Sequence, residues 1–163
     1  MVFIPRDPVN QNQFLVHDSS QGDGTESAGC VVYLSGDGLV ACVSGTQGEP
    51  YGFLMQNVKA ESSAHPTGFR LPGDLGSSDA FTGDPVAVAH FGIYETTYYN
   101  PSDTYTAGDN LSVDTAGRVT QATDIVNFST FTTVGADVVA VAQNTLTAGQ
   151  VAAGEKLRIK LLI

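Results

Sequence analysis

No stretch of about 11 residues or more in this chain combines apolar residues at helical spacing with freedom from helix breakers. The chain must therefore bury its apolar side chains from strands. The 18 Gly and seven Pro supply the turns that join short strands, and few Lys and Glu remain to favour helices. With 42% hydrophobic residues, the chain can fill a core, which excludes wholesale disorder. Its 163 residues suit one domain, or one domain with an ordered arm.

The clearest hairpin runs from Cys30 to Val43, with Val31-Val32-Tyr33-Leu34 and Leu39-Val40-Ala41-Cys42-Val43 flanking Gly36-Asp37-Gly38. Residues 51–55 form a third strand, and residues 86–94 form one long apolar strand. A second hairpin joins 110–113 to 118–123 through Asp114-Thr115-Ala116-Gly117. Further strands follow at 138–142 and 156–161. In the last, Leu157, Ile159 and Leu161 alternate with Lys156, Arg158 and Lys160, which gives one buried and one basic face. The basic face is either an edge guarded against aggregation or a docking strip for an acidic neighbour.

Two segments break this pattern. Residues 1–28 read as an extended N-terminal arm, with Phe3, Ile4, Phe14, Leu15 and Val16 as apolar anchors among polar and turn residues. The arm wraps either its own domain, 29–163, or a neighbour. Residues 60–85 lack periodicity and carry Pro66, Pro72 and Pro85, so they form a long irregular loop. Phe69, Leu71, Leu75 and Phe81 can anchor that loop on a surface. The fold class expected is all-β: a small β-barrel or β-sandwich of antiparallel hairpins with this arm and loop.

A weak internal repeat accompanies the hairpins. Ala28-Gly29, Leu34 and Gly38-Leu39-Val40 recur as Ala107-Gly108, Val113 and Gly117-Arg118-Val119. Each copy then leads to an apolar strand ending in Gln-Asn, at Gln56-Asn57 and Gln143-Asn144. Either the chain is duplicated, or two hairpins share the same turn chemistry.

Seven Lys and Arg face 17 Asp and Glu, for a formal net charge of -10. Such a chain repels phosphate backbones and anionic lipid, so neither nucleic acid nor a membrane surface is an expected partner. The Met1-Val2-Phe3-Ile4-Pro5-Arg6 start lacks a basic region followed by an apolar one, and no window reaches a transmembrane length. Action in a cytoplasm or release by lysis is expected. The glycosylation patterns at Asn110-Leu111-Ser112 and Asn127-Phe128-Ser129 are then chance. Cys30 and Cys42 flank the first turn. A loop formed by all of Ser35-Gly36-Asp37-Gly38 sets Cys30 across from Val43, whereas a shorter or bulged loop sets the two thiols opposite each other. A reducing compartment favours free, buried thiols.

The residues offer little chemistry. His17, His65 and His90 have no partner at metal-ligand spacing, and Cys30 and Cys42 are unlike a zinc knuckle. No nucleophile elbow, dinucleotide fingerprint or phosphate-binding loop occurs. The oxygen-rich stretch from Asp18 to Gly24 lacks the calcium-loop pattern. No catalytic, cofactor-binding or metal residue is assigned, and an enzyme is not expected. What remains are contact residues. Tyr94, Tyr98, Tyr99 and Tyr105 cluster in a turn-rich segment, a composition favoured at interfaces and equally one of rings covering the end of a barrel or sandwich. The candidate protein interface is Phe3, Ile4, Phe14, Leu15, Phe69, Leu71, Tyr94, Tyr98, Tyr99, Tyr105, Lys156, Arg158 and Lys160.

One family resemblance follows from the second half. A strand ending in Tyr94-Glu95-Thr96 leads to Tyr105-Thr106-Ala107-Gly108-Asp109-Asn110-Leu111-Ser112-Val113-Asp114. Gly117-Arg118-Val119-Thr120 and the strand Val138-Val139-Ala140-Val141-Ala142 come next. This order resembles the head decoration (cement) proteins of tailed bacteriophages. The resemblance implies a small, commonly trimeric β domain on the outer capsid surface, assembled in the host cytoplasm. There it clamps neighbouring major capsid protein subunits after expansion, in several cases through an N-terminal arm. It carries no catalytic residues. The alternative is a tail-fibre, baseplate or carbohydrate-binding β module.

Overall fold

A computed structural model describes residues 3–5, 12–17, 26–35, 38–42, 49–59, 79–81, 85–122 and 138–163. Thirteen strands and one short helix are seen there. The strands are β1 (Phe3–Pro5), β2 (Asn12–His17), β3 (Val31–Ser35), β4 (Gly38–Ala41), β5 (Gly52–Leu54), β6 (Asn57–Lys59) and β7 (Asp79–Phe81). They continue as β8 (Pro85–Ala89), β9 (Gly92–Thr96), β10 (Asn110–Val113), β11 (Val119–Gln121), β12 (Ala140–Ala142) and β13 (Leu157–Leu161). The helix α1 (Ala148–Ala152) is a single turn, too short to show in the apolar periodicity of the sequence. Its start is fixed by Gln150, whose side-chain oxygen accepts from the Thr147 N–H at 3.0 Å.

The fold is all-β, as expected, but its hydrogen bonds divide the strands into three sets rather than one barrel or one sandwich. β2, β4, β3, β5 and β8 pair in an unbroken ring, β1-β9-β13-β12-β10-β11 form a six-stranded sheet, and β6 pairs with β7. Most ladders are antiparallel, but β2–β4 and β6–β7 are parallel, which hairpins alone do not produce. The single strand expected over 86–94 is two. β8 belongs to the ring and β9 to the sheet, with His90-Phe91 between them.

The segment read as an arm supplies two ladder strands of the body, β1 on β9 and β2 on β4 and β8. Within the loop expected at 60–85, β7 pairs with β6, while 60–78 and 82–84 lie outside the described residues. The terminal strand alternates as its sequence dictates, with Leu157, Ile159 and Leu161 buried and Arg158 and Lys160 exposed. It is not an edge, however: β13 is flanked by β9 and β12, so its cations have no edge to protect.

The internal repeat is real at the level of the backbone. The Gly29 N–H donates to Leu54 O at 2.7 Å, and Gly108 to Ala142 O at 2.8 Å. In return Leu54 donates to Cys30 O and Ala142 to Asp109 O, both at 2.9 Å. Tyr51 donates to Val32 O and Val139 to Leu111 O, both at 2.8 Å. Glu26 and Val58 exchange two bonds at 3.0 and 2.8 Å, as Tyr105 and Leu146 do at the same two lengths. Side chains repeat the pattern. Asn57 Oδ1 accepts from Ala28 N–H where Thr145 Oγ1 accepts from Ala107 N–H, and Gln56 Oε1 accepts from Ala87 N–H where Asn144 Oδ1 accepts from Arg158 N–H.

Two five-strand units therefore follow one another, β2-β3-β4-β5-β8 and β9-β10-β11-β12-β13. The β6–β7 pair is inserted in the first and α1 in the second. The Gln-Asn pairs are displaced by one residue, since Gln56 corresponds to Asn144 and Asn57 to Thr145. The second unit repeats the parallel closure of the first only as a single bridge, Tyr99 to Val119, where the first has Val16–Gly38 and His17–Leu39.

The core lies in two clusters. One gathers Cys30, Val32, Leu39, Ala41, Leu54, Val86 and Val88 of the first unit. The other joins the opposite faces of the same strands, Val31, Tyr33, Val40, Cys42, Phe53 and Ala89, to Tyr94, Tyr105, Leu111, Leu157 and Ile159 of the second unit. This explains why β3 and β4 read as near-continuous apolar runs: each is buried on both faces. The β3–β4 register pairs Ser35 with Gly38 and Val32 with Ala41, and the Cys42 N–H donates to Val31 O. The full-loop register thus holds, and the two free thiols are buried in different clusters.

Candidate docking surface

Three of the four tyrosines expected at an interface belong to the core instead. Tyr94 and Tyr105 are fully buried and Tyr99 is 5% exposed, so none of the three has a surface to offer a partner. Phe3 is buried with them. Its ring stacks on Phe53 of the first unit at 5.7 Å and on Tyr94 of the second at 4.6 Å, so the N-terminal strand fills the seam between the units. The four hydroxyl-bearing positions were legible as a cluster, but burial depends on which partners the ladders bring, which spacing does not encode.

The hydroxyls are satisfied by backbone carbonyls. Tyr98 donates to Ala116 O at 2.9 Å and Tyr99 to Glu155 O at 2.6 Å. Tyr105 Oη lies 3.1 Å from both Asn100 O and Val119 O, so one proton is shared between two acceptors. Burial pushes the Tyr98 phenol up to about 12, helped by the nearby Cys30 and Glu26. Tyr99 and Tyr105 are pushed up as well, first by burial and then by Glu155 and Asp103 respectively. The Cys30 thiol is raised by burial, then by Glu26, so it is held protonated.

A folded-state pKa above the unfolded one means that the native state keeps its proton longer. Tyr98 thus contributes stability that is full below pH 10 and is lost as pH rises through about 12, and Tyr99 and Tyr105 act in the same direction. Urea melts at rising alkaline pH should show a steep loss of stability in that window. A flat profile would show that these hydroxyls are solvated.

The remaining expected positions fall in different places. Ile4 lies on β1, and Phe14 and Leu15 lie on β2. Phe69 and Leu71 are outside the described residues, as are His65 and the Asp18–Gly24 stretch. His90 has its Nδ1 2.8 Å from Tyr51 O and its ring edge-on to Tyr51, while its buried Nε2 has no hydrogen-bond partner among the described residues. Among the described residues, no group of three or more His, Cys, Asp or Glu is placed to hold a metal ion.

Among the candidate positions whose burial is described, Lys156, Arg158 and Lys160 are exposed and Tyr98 is half-buried. Arg158 Nη2 lies 3.1 Å from Glu95 Oε1 and Lys156 Nζ 4.0 Å from Glu95 Oε2. Such exposed pairs contribute only about 0–1 kcal/mol. Lys160 has no ion-pair partner among the described residues. Across the sheet it sits in the row Ile93, Lys160, Val141, Asn110.

Sequence reasoning missed the apolar part of this surface. Phe91 and Leu162 immediately flank the Gly92–Leu161 pair that ends the β9–β13 ladder, and they are 37% and 51% exposed. The signal was present: Leu162 continues the alternation on the basic side of the strand. No family model matches the chain, and no curated protein matches it.

Proposed function

We propose that this chain is a structural virion protein, a capsid decoration protein that binds the outer surface of an expanded phage head and stabilises contacts between major capsid protein subunits. The observation that carries the reading is a mixed basic and apolar face on the outside of the six-stranded sheet of an otherwise acidic chain. It is backed by a core in which buried side chains are committed to holding the two units together. A body of this kind suits a protein that transmits load between neighbours. The sequence resemblance of the second half to cement proteins supports the same role. The Tyr cluster, shared by this reading and the carbohydrate-binding alternative, supports neither with Tyr94, Tyr99 and Tyr105 buried.

In this role the protein acts without chemistry. Each contact is weak, and a trimer touching several capsid subunits holds through effective concentration. The test is co-sedimentation of purified protein with undecorated, expanded shells of the virus that encodes it. Saturable binding at a fixed number of copies per shell is the expected result. Absence of saturable binding contradicts the reading, and glycan-array binding in its place supports the alternative.

A further inference from the structure

The two units show how one face of this fold is used. In the first unit, the strand faces bearing Val31, Phe53 and Ala89 are buried against the second unit. By the shared hydrogen-bond pattern, their counterparts in the second unit are Asn110, Val141 and Lys160, and none of these is buried. Gly29 and Gly108 mark the same contrast. A Cβ on Gly29 would lie 2.7 Å from Thr96 Oγ1 of the second unit, whereas one on Gly108 meets nothing within 4 Å among the described residues. A face that takes a β neighbour in one unit is therefore open in the other, with Ala replaced by Lys and Val by Asn at its centre.

We propose that this open face, centred on Lys160 and bordered by Ile93, Phe91 and Leu162, is the one that meets the partner. The partner presents an acidic surface with an apolar rim. The inference rests on the decoration reading, and there the partner surface belongs to a capsid subunit. Charge complementarity selects it. Three of the seven basic residues of a chain with net charge -10 lie on or beside this one strand, and β13 has no free edge for them to guard. Among the described residues, two of the three exposed large hydrophobics, Phe91 and Leu162, stand at the end of the same ladder. The exchange of Ala and Val for Lys and Asn turns a permanent apolar contact into a wet, separable one whose strength depends on salt.

The test measures shell binding by co-sedimentation at low and high ionic strength for the wild type, Lys160→Glu, Lys160→Gln, Leu162→Ala and Leu34→Ala. Leu34 is an exposed apolar residue at the end of β3, away from this face, and serves as the control. Thermal melts check that each variant folds. Lys160→Glu should weaken binding at least about tenfold, or about 1.4 kcal/mol, with Lys160→Gln and Leu162→Ala losing less and Leu34→Ala unchanged. Wild-type binding should fall with salt, and that of Lys160→Glu should fall less.

Wild-type binding with an equal affinity for Lys160→Glu overturns this face and leaves the decoration reading standing. Failure of the wild type to bind shells overturns both. Concentration-dependent self-association of the free protein that Lys160→Glu abolishes makes a second copy the occupant and overturns the choice of partner.

Discussion

Replacing Phe3 with Ala should destabilise the protein by about 3 kcal/mol in urea denaturation, the usual cost of truncating a buried Phe. Its ring lies between Phe53 and Tyr94, one from each unit, so no neighbour can close the gap without moving the units together. The loss is therefore felt across the whole core, and a single cooperative transition should shift without splitting. Phe3→Leu should recover part of the loss by keeping apolar volume while forfeiting the stacking. Removal of residues 1–17 takes away β1 and β2 together and opens the first ring, and it should abolish folding. The sequence alone left two roles open for residues 1–28, wrapping their own domain or reaching a neighbour, and the ladders of β1 and β2 favour the first. A Phe3→Ala midpoint equal to that of the wild type, or a folded 18–163 fragment, would favour the second.

The second large effect separates two glycines that the repeat makes equivalent. Gly29 and Gly108 have φ of 93° and 98°, so a side chain at either meets the same backbone strain, about 1–2 kcal/mol. Only Gly29 adds a packing conflict, since its Cβ would also lie 3.1 Å from Tyr98 Cβ. Gly29→Ala should therefore cost clearly more than Gly108→Ala, by about 1–3 kcal/mol, the range for overpacking a core. The difference between the two melts isolates the contact between the units from the turn itself. Equal losses would mean that the second unit does not press on the first at this point.

How much of this was legible beforehand differs between elements, for physical reasons. The β3–β4 hairpin and the alternation of β13 were readable because both follow from neighbouring residues: a turn with Gly at its ends, and a period of two. The register that separates Cys30 from Cys42 was one of two open possibilities, and the ladder chose between them. The choice between an arm on its own domain and one on a neighbour stayed open because β1 is only three residues long, and its partner β9 lies far along the chain. Nothing local marks such a strand. The same holds for β6 and β7, whose parallel pairing joins segments separated by residues 60–78.

The repeat shows the limit most clearly. Its Ala-Gly turns were visible, but the aligned Gln-Asn pairs were out by one residue. The backbone bonds recur even where side chains differ, as with Cys30 and Asp109 or Val58 and Leu146. As to the candidate surface, the cations were visible as a stripe. Their interpretation turned on whether β13 is an edge, and only the pairing with β9 and β12 decides that. The burial of Tyr94, Tyr99 and Tyr105 was not readable for the converse reason: composition favours Tyr both at interfaces and in cores that offer carbonyls to its hydroxyl.

The proposed role, holding capsid subunits together, predicts a change in shell stability. Undecorated, expanded shells should be heated with and without a saturating amount of the protein, and their rupture followed by light scattering or release of contents. The expected result is a higher rupture temperature that rises with occupancy and levels off at saturation, because a ligand that binds the intact shell stabilises it as occupancy grows. Shells that bind the protein yet rupture at the same temperature as bare shells would contradict it.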